Sequence, residues 1–473
     1  MTIGSLPISR CGKTAPISIR HPPQDITERI SAFVSSSGIM LSSINFNSFK
    51  HKMSEPNSIP VFDLQNLIDP YPMYKQLRDE APVYHVPELN MYYVTSYELL
   101  RQVIRDTSTY SSQYDDFMAF SRDAGMANLP DEIKGAVGEK MREMIPTPPT
   151  MLTLDEPDHT KYRSLVSQLF TVSEIKKSEA DVQAVIDQHA DTFLESDGEF
   201  MKGFAFPVPL EIISVRLGIP QADREFFYDA ATCAAAGLRI QQLTHEETLR
   251  RAQVAVDLQN LLISLVEARR AEPLNDMITI LANSKLEEEN RLLTHGEILS
   301  ILQQFLVAGH ETTTSAFGWS MWLLCRNPEL QDKLRGNPEG IKVFVEETLR
   351  IRAPVQGLPR KVTEDTELGG VKIPAGSFIM LRYGAANMDE KQFPNPDQVD
   401  LERKKAGMQM AFGSGVHFCI GAPLARQELT LGLPAILDRI GNIRLNADYT
   451  PAAEPSLILH NLPELHVEFD RRS

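Results

Sequence analysis

The chain has 473 residues, 42% of them hydrophobic, and a formal charge of -16. That is enough apolar material for a large core, and the acidic balance excludes the broad basic surface that nucleic-acid binding requires. The four cysteines, Cys11, Cys233, Cys325 and Cys419, lack the close pairing of a zinc site or a disulfide framework, which fits a reducing compartment.

Residues 1–52 are rich in Ser, Ile and Pro and lean basic through Arg10, Lys13, Arg20, Arg29, Lys50 and Lys52. Such a composition buries too little surface to order itself, so a disordered extension or sequence upstream of a start at Met53 is expected. An organelle-type targeting arm is the other reading. The folded catalytic domain is expected over 53–473. No run reaches the roughly 18 to 20 apolar residues that span a bilayer, and the N-terminus lacks a signal peptide's apolar core. A soluble, cytoplasmic protein without a membrane anchor is expected.

From Ile59 onward the pattern is that of a folded chain. Prolines at 70 and 72 precede an amphipathic helix over 73–80, and 83–86 and 91–94 alternate like two short strands around a Pro-containing turn. The proline-rich stretch 146–149 is loop. A helix follows in which His159 and Arg163, spaced i and i+4, share one face; this is either a solvated polar face or an anion site. Residues 174–270 alternate helical patterns with short breaks and carry little diagnostic chemistry.

Thr294 and Glu297 have the spacing of a capping box. The helix they start continues to Asn327-Pro328, about 32 residues or roughly 48 Å. At its centre lies Ala308-Gly309-His310-Glu311-Thr312-Thr313-Thr314, poor helix material in an otherwise strong helix. The glycine admits a close neighbour, a threonine hydroxyl competes for the carbonyl one turn back and opens the helix, and an acid beside an alcohol can relay protons. Distortion for packing alone is the competing explanation.

Glu347 and Arg350 form either an ordinary surface pair or a buried network. Gly357-Leu358-Pro359-Arg360 then leads into a strand, turn, strand pattern over 365–376. Last comes Phe412-Gly413-Ser414-Gly415-Val416-His417-Phe418-Cys419-Ile420-Gly421, a glycine-punctuated loop that offers one cysteine ahead of a helix. An isolated cysteine is most often a small buried hydrophobe, but a thiol near a helix N-terminus is expected to be pushed toward thiolate.

The loop's Phe412, Gly415, Cys419 and Gly421 resemble the haem-ligand loop of the cytochrome P-450 family, and Ala422 to Arg426 are similar to its bacterial members. The acid-alcohol segment and Glu347-x-x-Arg350 follow in the family's order over about Ile59 to the C-terminus, although Met388 stands where many bacterial members have Arg. The resemblance implies a mainly α fold, a single large helical domain with a small β region, and haem b (iron protoporphyrin IX) between the long helix and the cysteine loop. Cys419 is then the iron ligand. His159, Arg163, Arg360 and His417 hold the propionates, Ala308 and Gly309 flank the dioxygen site, and Glu311 and Thr312 deliver protons. Glu347, Arg350 and Phe412 are structural.

Val355 and Leu358, with Gln356 and Gly357, are expected to line the pocket of a small apolar substrate of terpenoid, steroid or fatty acyl type. The implied activity is that of a monooxygenase; a peroxide-driven peroxygenase or a non-catalytic haem sensor are the alternatives. Electrons are expected from a ferredoxin-type donor with its NAD(P)H-dependent reductase, docking near Lys404, Lys405 and Arg426, and the protein is expected to be a monomer.

Overall fold

Thr294 and Glu297 form the capping box their spacing predicts: the Glu297 amide donates to Thr294 Oγ1 (3.3 Å) and the Glu297 carboxylate accepts from the Thr294 amide (2.7 Å). One α-helix then runs unbroken over His295–Arg326, 32 residues, and stops at Asn327 before Pro328. Apolar residues surround most of it, the pattern of a helix buried on all sides. Phe305 stacks on Phe170 with ring centroids 5.1 Å apart, and Phe317 meets Phe204 edge-on at 5.3 Å. The computed structural model describes residues 59–117, 129–239 and 243–472. The extension expected over 1–52 and the boundary at Met53 lie outside the described residues.

Helices dominate the rest, including Asp158–Ser167, Pro207–Leu217, Arg224–Ala235, His245–Ala271, Pro338–Ile351 and Ala422–Arg439. The helix Pro207–Leu217 packs against the long helix. A Cβ on Gly309 would lie 2.9 Å from Ile213 Cγ1, too close for a real carbon contact. The roughly 1 kcal/mol that glycine costs a helix is therefore offset here by close packing of two helices.

The strands expected over 83–86 and 91–94 are present as Val83–Val86 and Met91–Val94. The 3-10 turn Pro87–Leu89 joins them and ends at Asn90 in the left-handed region (φ 46°). They belong to a five-stranded sheet that continues through Phe378–Arg382, Gly357–Val362 and Tyr110–Ser111. Met91–Val94 pairs in parallel with Phe378–Arg382, whereas the other pairings are antiparallel. The hairpin expected within 365–376 is Thr366–Leu368 with Val371–Ile373.

Glu347 and Arg350 are fully buried and doubly bonded, Nε to Oε1 at 2.7 Å and Nη2 to Oε2 at 2.9 Å. Arg350 also donates to the carbonyls of Asn387, Pro396 and Gln398. Arg403 Nε lies 3.0 Å from Glu347 Oε1, and the Asp400 amide donates to Glu347 Oε2 at 3.0 Å. The surface-pair reading is thereby excluded. The network continues toward the cysteine loop, because the Asn387 side chain accepts from the Met410 amide at 2.6 Å and the Met410 carbonyl accepts from the Gly413 amide at 2.8 Å.

Removing Arg350 strands a buried carboxylate, so Arg350→Ala is expected to destabilise the fold by about 3 to 5 kcal/mol in chemical denaturation; a change below about 1 kcal/mol would contradict a central structural role. At Glu297, burial raises the carboxyl, but Arg291, the Thr294 amide, Tyr162 and the Thr294 hydroxyl together hold it down at about 2 against an ordinary 4.5. A depressed folded value gives stability that is present above pH 4.5 and lost as pH falls toward 2. Glu297→Gln is therefore expected to flatten the acid limb of a thermal-stability profile across that window.

Candidate active site

The cysteine loop takes its shape from two residues in the left-handed region, Gly413 (φ 67°) and Gly415 (φ 69°), which only glycine adopts without strain. The Cys419 amide donates to the Phe412 carbonyl at 2.9 Å and closes the loop, after which the helix Ala422–Arg439 begins. Arg426 stacks over the Phe412 ring at 4.5 Å and pairs with Glu346 at 2.5 Å. Cys419 is exposed and not packed as a core side chain, although protein atoms crowd around its sulfur.

The expectation of a free thiol pushed toward thiolate is corrected. Burial is the largest influence and pushes the Cys419 thiol up, outweighing the amides of Gly421 and Ala422 and the charges of Arg163 and Arg426, which act in the expected direction. The protein around the free thiol favours its neutral form. It supplies amides and cations suited to a thiolate that a bound cation would complete.

Beside the loop lies a cradle for anions. The helix Asp158–Ser167 carries His159 and Arg163 one turn apart. The His159 ring lies 4.2 Å from that of His417, and Arg163 Nη2 donates to the Phe418 carbonyl at 2.6 Å. Glu156 Oε1 faces His159 Nδ1 at 3.1 Å, which leaves Nε2 without a partner. His417 Nε2 and Tyr114 Oη are likewise buried without partners. Arg360, itself buried, acts electrostatically on both. Burial first, then the charges of Arg360, His159 and Arg163, hold His417 down at about 3, so the imidazole is neutral among cations. Orphaned buried donors around a buried guanidinium are what the carboxylates of a haem group would satisfy. These residues fit that group.

On the long helix, Ala308 is exposed and Thr312 half-buried within a span that is otherwise mostly buried. Thr312 Oγ1 donates to the Ala308 carbonyl at 2.9 Å, as expected, but the helix does not open there. A Cβ on Gly309 would meet Ile213, so this glycine serves the packing of the two helices. Glu311 is not poised beside Thr312. Its Oε1 accepts from Arg239 Nη2 and, at 2.6 Å, from Asn461 Nδ2.

Val355 and Leu358 are half-buried, whereas Gln356 is buried, with its Nε2 donating to the Ala353 carbonyl (2.7 Å) and Tyr71 Oη (3.3 Å). A Cβ on Gly357 would lie 2.3 Å from the Leu381 carbonyl oxygen. Gln356 and Gly357 are thus engaged by neighbouring backbone and side chains, whereas Val355 and Leu358 keep accessible surface. Sequence reasoning also missed Tyr114, Arg239, Glu454 and Asn461. None lies in a motif, and only the fold brings them to the site.

The family model for cytochrome P450 matches residues 238–339 and 341–442. Cytochrome P450 109 of Bacillus spizizenii is 32% identical over 393 residues, 80% of this chain and 87% of that protein. The 6-deoxyerythronolide B hydroxylase of Saccharopolyspora erythraea is 30% identical over 408 residues, covering 85% and 96% respectively. The solved structure of CYP109E1 from Bacillus megaterium in complex with testosterone is similar with a TM-score of 0.70 at 26% identity, over 85% of this chain and 99% of that one. With fold and identity agreeing along most of its length, this chain is a haem b monooxygenase of the cytochrome P450 family.

Proposed function

We infer that the protein oxygenates a bulky apolar molecule of steroid or terpenoid type, with Cys419 as iron ligand, His159, Arg163, Arg360 and His417 as propionate partners, and Glu311 and Thr312 as proton carriers. One observation carries this reading: His159 Nε2 and His417 Nε2, on rings 4.2 Å apart, and Tyr114 Oη are buried without partners, and Arg360 acts electrostatically on His417 and Tyr114.

When bound, haem supplies the activation of dioxygen with electrons delivered from outside. The chain's own residues set the conditions. Amides of Gly421 and Ala422 and the nearby Arg163 temper negative charge at Sγ. The Thr312 hydroxyl, having donated to Ala308, keeps lone pairs that can accept from a water and hold it in place. The apolar side chains of Val355 and Leu358 exclude water and favour an apolar substrate. A related structure that holds testosterone, and a relative named for hydroxylating 6-deoxyerythronolide B, support a large substrate.

A ferredoxin-type donor with its NAD(P)H-dependent reductase supplies the electrons. Lys404 and Lys405 are exposed and carry no ion pair among the described residues, in keeping with a donor docking site. Arg426, engaged by Glu346, is withdrawn from that patch. Free thiols at Cys233, Cys325 and Cys419 support a reducing, cytoplasmic setting.

Chemically reduced protein exposed to carbon monoxide is expected to give a thiolate-type spectrum that Cys419→His converts to an imidazole type; an imidazole-type spectrum from the unaltered chain would refute the ligand assignment. Thr312→Ala is expected to divert most electrons to peroxide or water while NADH consumption continues. Unchanged coupling would remove the relay, and product formation that is faster with peroxide alone than with ferredoxin, reductase and NADH would make the protein a peroxygenase.

A further inference from the structure

The carboxylate that the proton relay uses is locked away from the alcohol. Glu311 is buried, bonded through Oε1 to Arg239 and Asn461, with Oε2 3.4 Å from His310 Nε2. Thr312 meanwhile spends its proton on the Ala308 carbonyl. To carry a proton toward Thr312, Glu311 has to leave Arg239. A guanidinium abandoned in a partly buried site is a strongly unfavourable state unless a second anion receives it.

That anion is present. Arg239 Nε lies 3.0 Å from Glu454 Oε2, close enough for an ion pair, yet neither atom has a partner at hydrogen-bonding angles. Arg239 is thus already shared between two carboxylates, hydrogen-bonded to Glu311 through Nη2 and in an unaligned ion pair with Glu454 through Nε. Burial and the charge of Glu311 push the Glu454 carboxyl up, and Arg239 pulls it back down.

The backbone around this pair is fixed. Arg239 follows the turn Ala236–Leu238, and Ser456 Oγ donates to the Leu238 carbonyl at 2.8 Å. The Glu454 amide donates to the Asn461 carbonyl at 2.9 Å. Ser315 Oγ and Trp319 Nε1, both on the long helix, donate to the His460 carbonyl at 2.7 and 2.6 Å. Three elements are pinned to one another, and the Arg239 side chain between them needs only a small swing to exchange one carboxylate for the other.

We propose that Glu454 is a positioning residue for proton delivery: it takes the guanidinium of Arg239 when Glu311 lets go, which frees that carboxylate to turn toward Thr312 and pass a proton. The exchange conserves charge. One cation serves two carboxylates before the swing and is paired with Glu454 after it, when Glu311 is free to accept a proton from water and return it to the site. This deepens the assignment of Glu311 and Thr312 given above and rests on it.

Glu454→Gln preserves size and removes the receiving charge. It is expected to lower coupled turnover about tenfold, part of the roughly hundredfold or more that losing a positioned proton carrier costs, and to raise the solvent isotope effect; Glu454→Asp should restore much of both. A crystal structure of Glu311→Gln should show Arg239 moved onto Glu454 with an aligned hydrogen bond, a readout independent of turnover and of whether Glu454→Gln folds. An Arg239 that stays against the glutamine or turns to solvent overturns the handover. So does wild-type rate and isotope effect in Glu454→Gln while Glu311→Gln is impaired. Intact coupling in both Glu311→Gln and Thr312→Ala would instead remove the relay itself.

Discussion

A buried charge needs a partner, and in this molecule that requirement fixes the proximal side of the site. Glu347 and Arg350 lie at zero exposure, so every donor of the guanidinium and both carboxylate oxygens have to be satisfied by protein. Arg350 does this by gathering three carbonyls from the segment between Asn387 and Gln398, and Arg403 adds a second cation to Glu347. From that segment the Asn387 side chain reaches on to Met410, whose amide it holds and whose carbonyl holds Gly413. The position of Cys419 is therefore set by an ion network that touches neither the sulfur nor its loop directly.

The distal side solves a different problem. The long helix has locally unfavourable residues at its centre, and each answers to a separate neighbour: Gly309 to Ile213, the Thr312 hydroxyl to the Ala308 carbonyl, Glu311 to Arg239 and Asn461. Rules broken together in sequence are thus repaired by a packing contact, a local bond and a long-range ion pair. The ion pair ties the Glu311 carboxylate to a distant segment of the chain, and a second carboxylate, Glu454, lies against the same guanidinium.

Much of the architecture was legible because it depends on local chemistry. The capping box at Thr294 and Glu297, the stop at Asn327-Pro328 and the strands at 83–86 and 91–94 follow from side chains that act on their own backbone within a few residues. The sheet order was not legible. Nothing near Met91–Val94 announces that its parallel partner is Phe378–Arg382, nearly three hundred positions on. The pairing of Ile440–Leu445 with Val467–Arg471 was hidden for the same reason.

The candidate site divides along the same line. Cys419 in its glycine-shaped loop, the His159 and Arg163 helical face and the Glu347-x-x-Arg350 pair are spacings within single elements, so the sequence by itself determined them and the family they signify. Only the tertiary structure decided that Glu347 and Arg350 are buried, that Gln356 and Gly357 are packed against neighbouring segments, and that burial outweighs the helix N-terminus at the Cys419 thiol. It alone added Tyr114, Arg239, Glu454 and Asn461 to the site. Burial and long-range pairing depend on which distant segments meet, and that is a property of the folded chain as a whole.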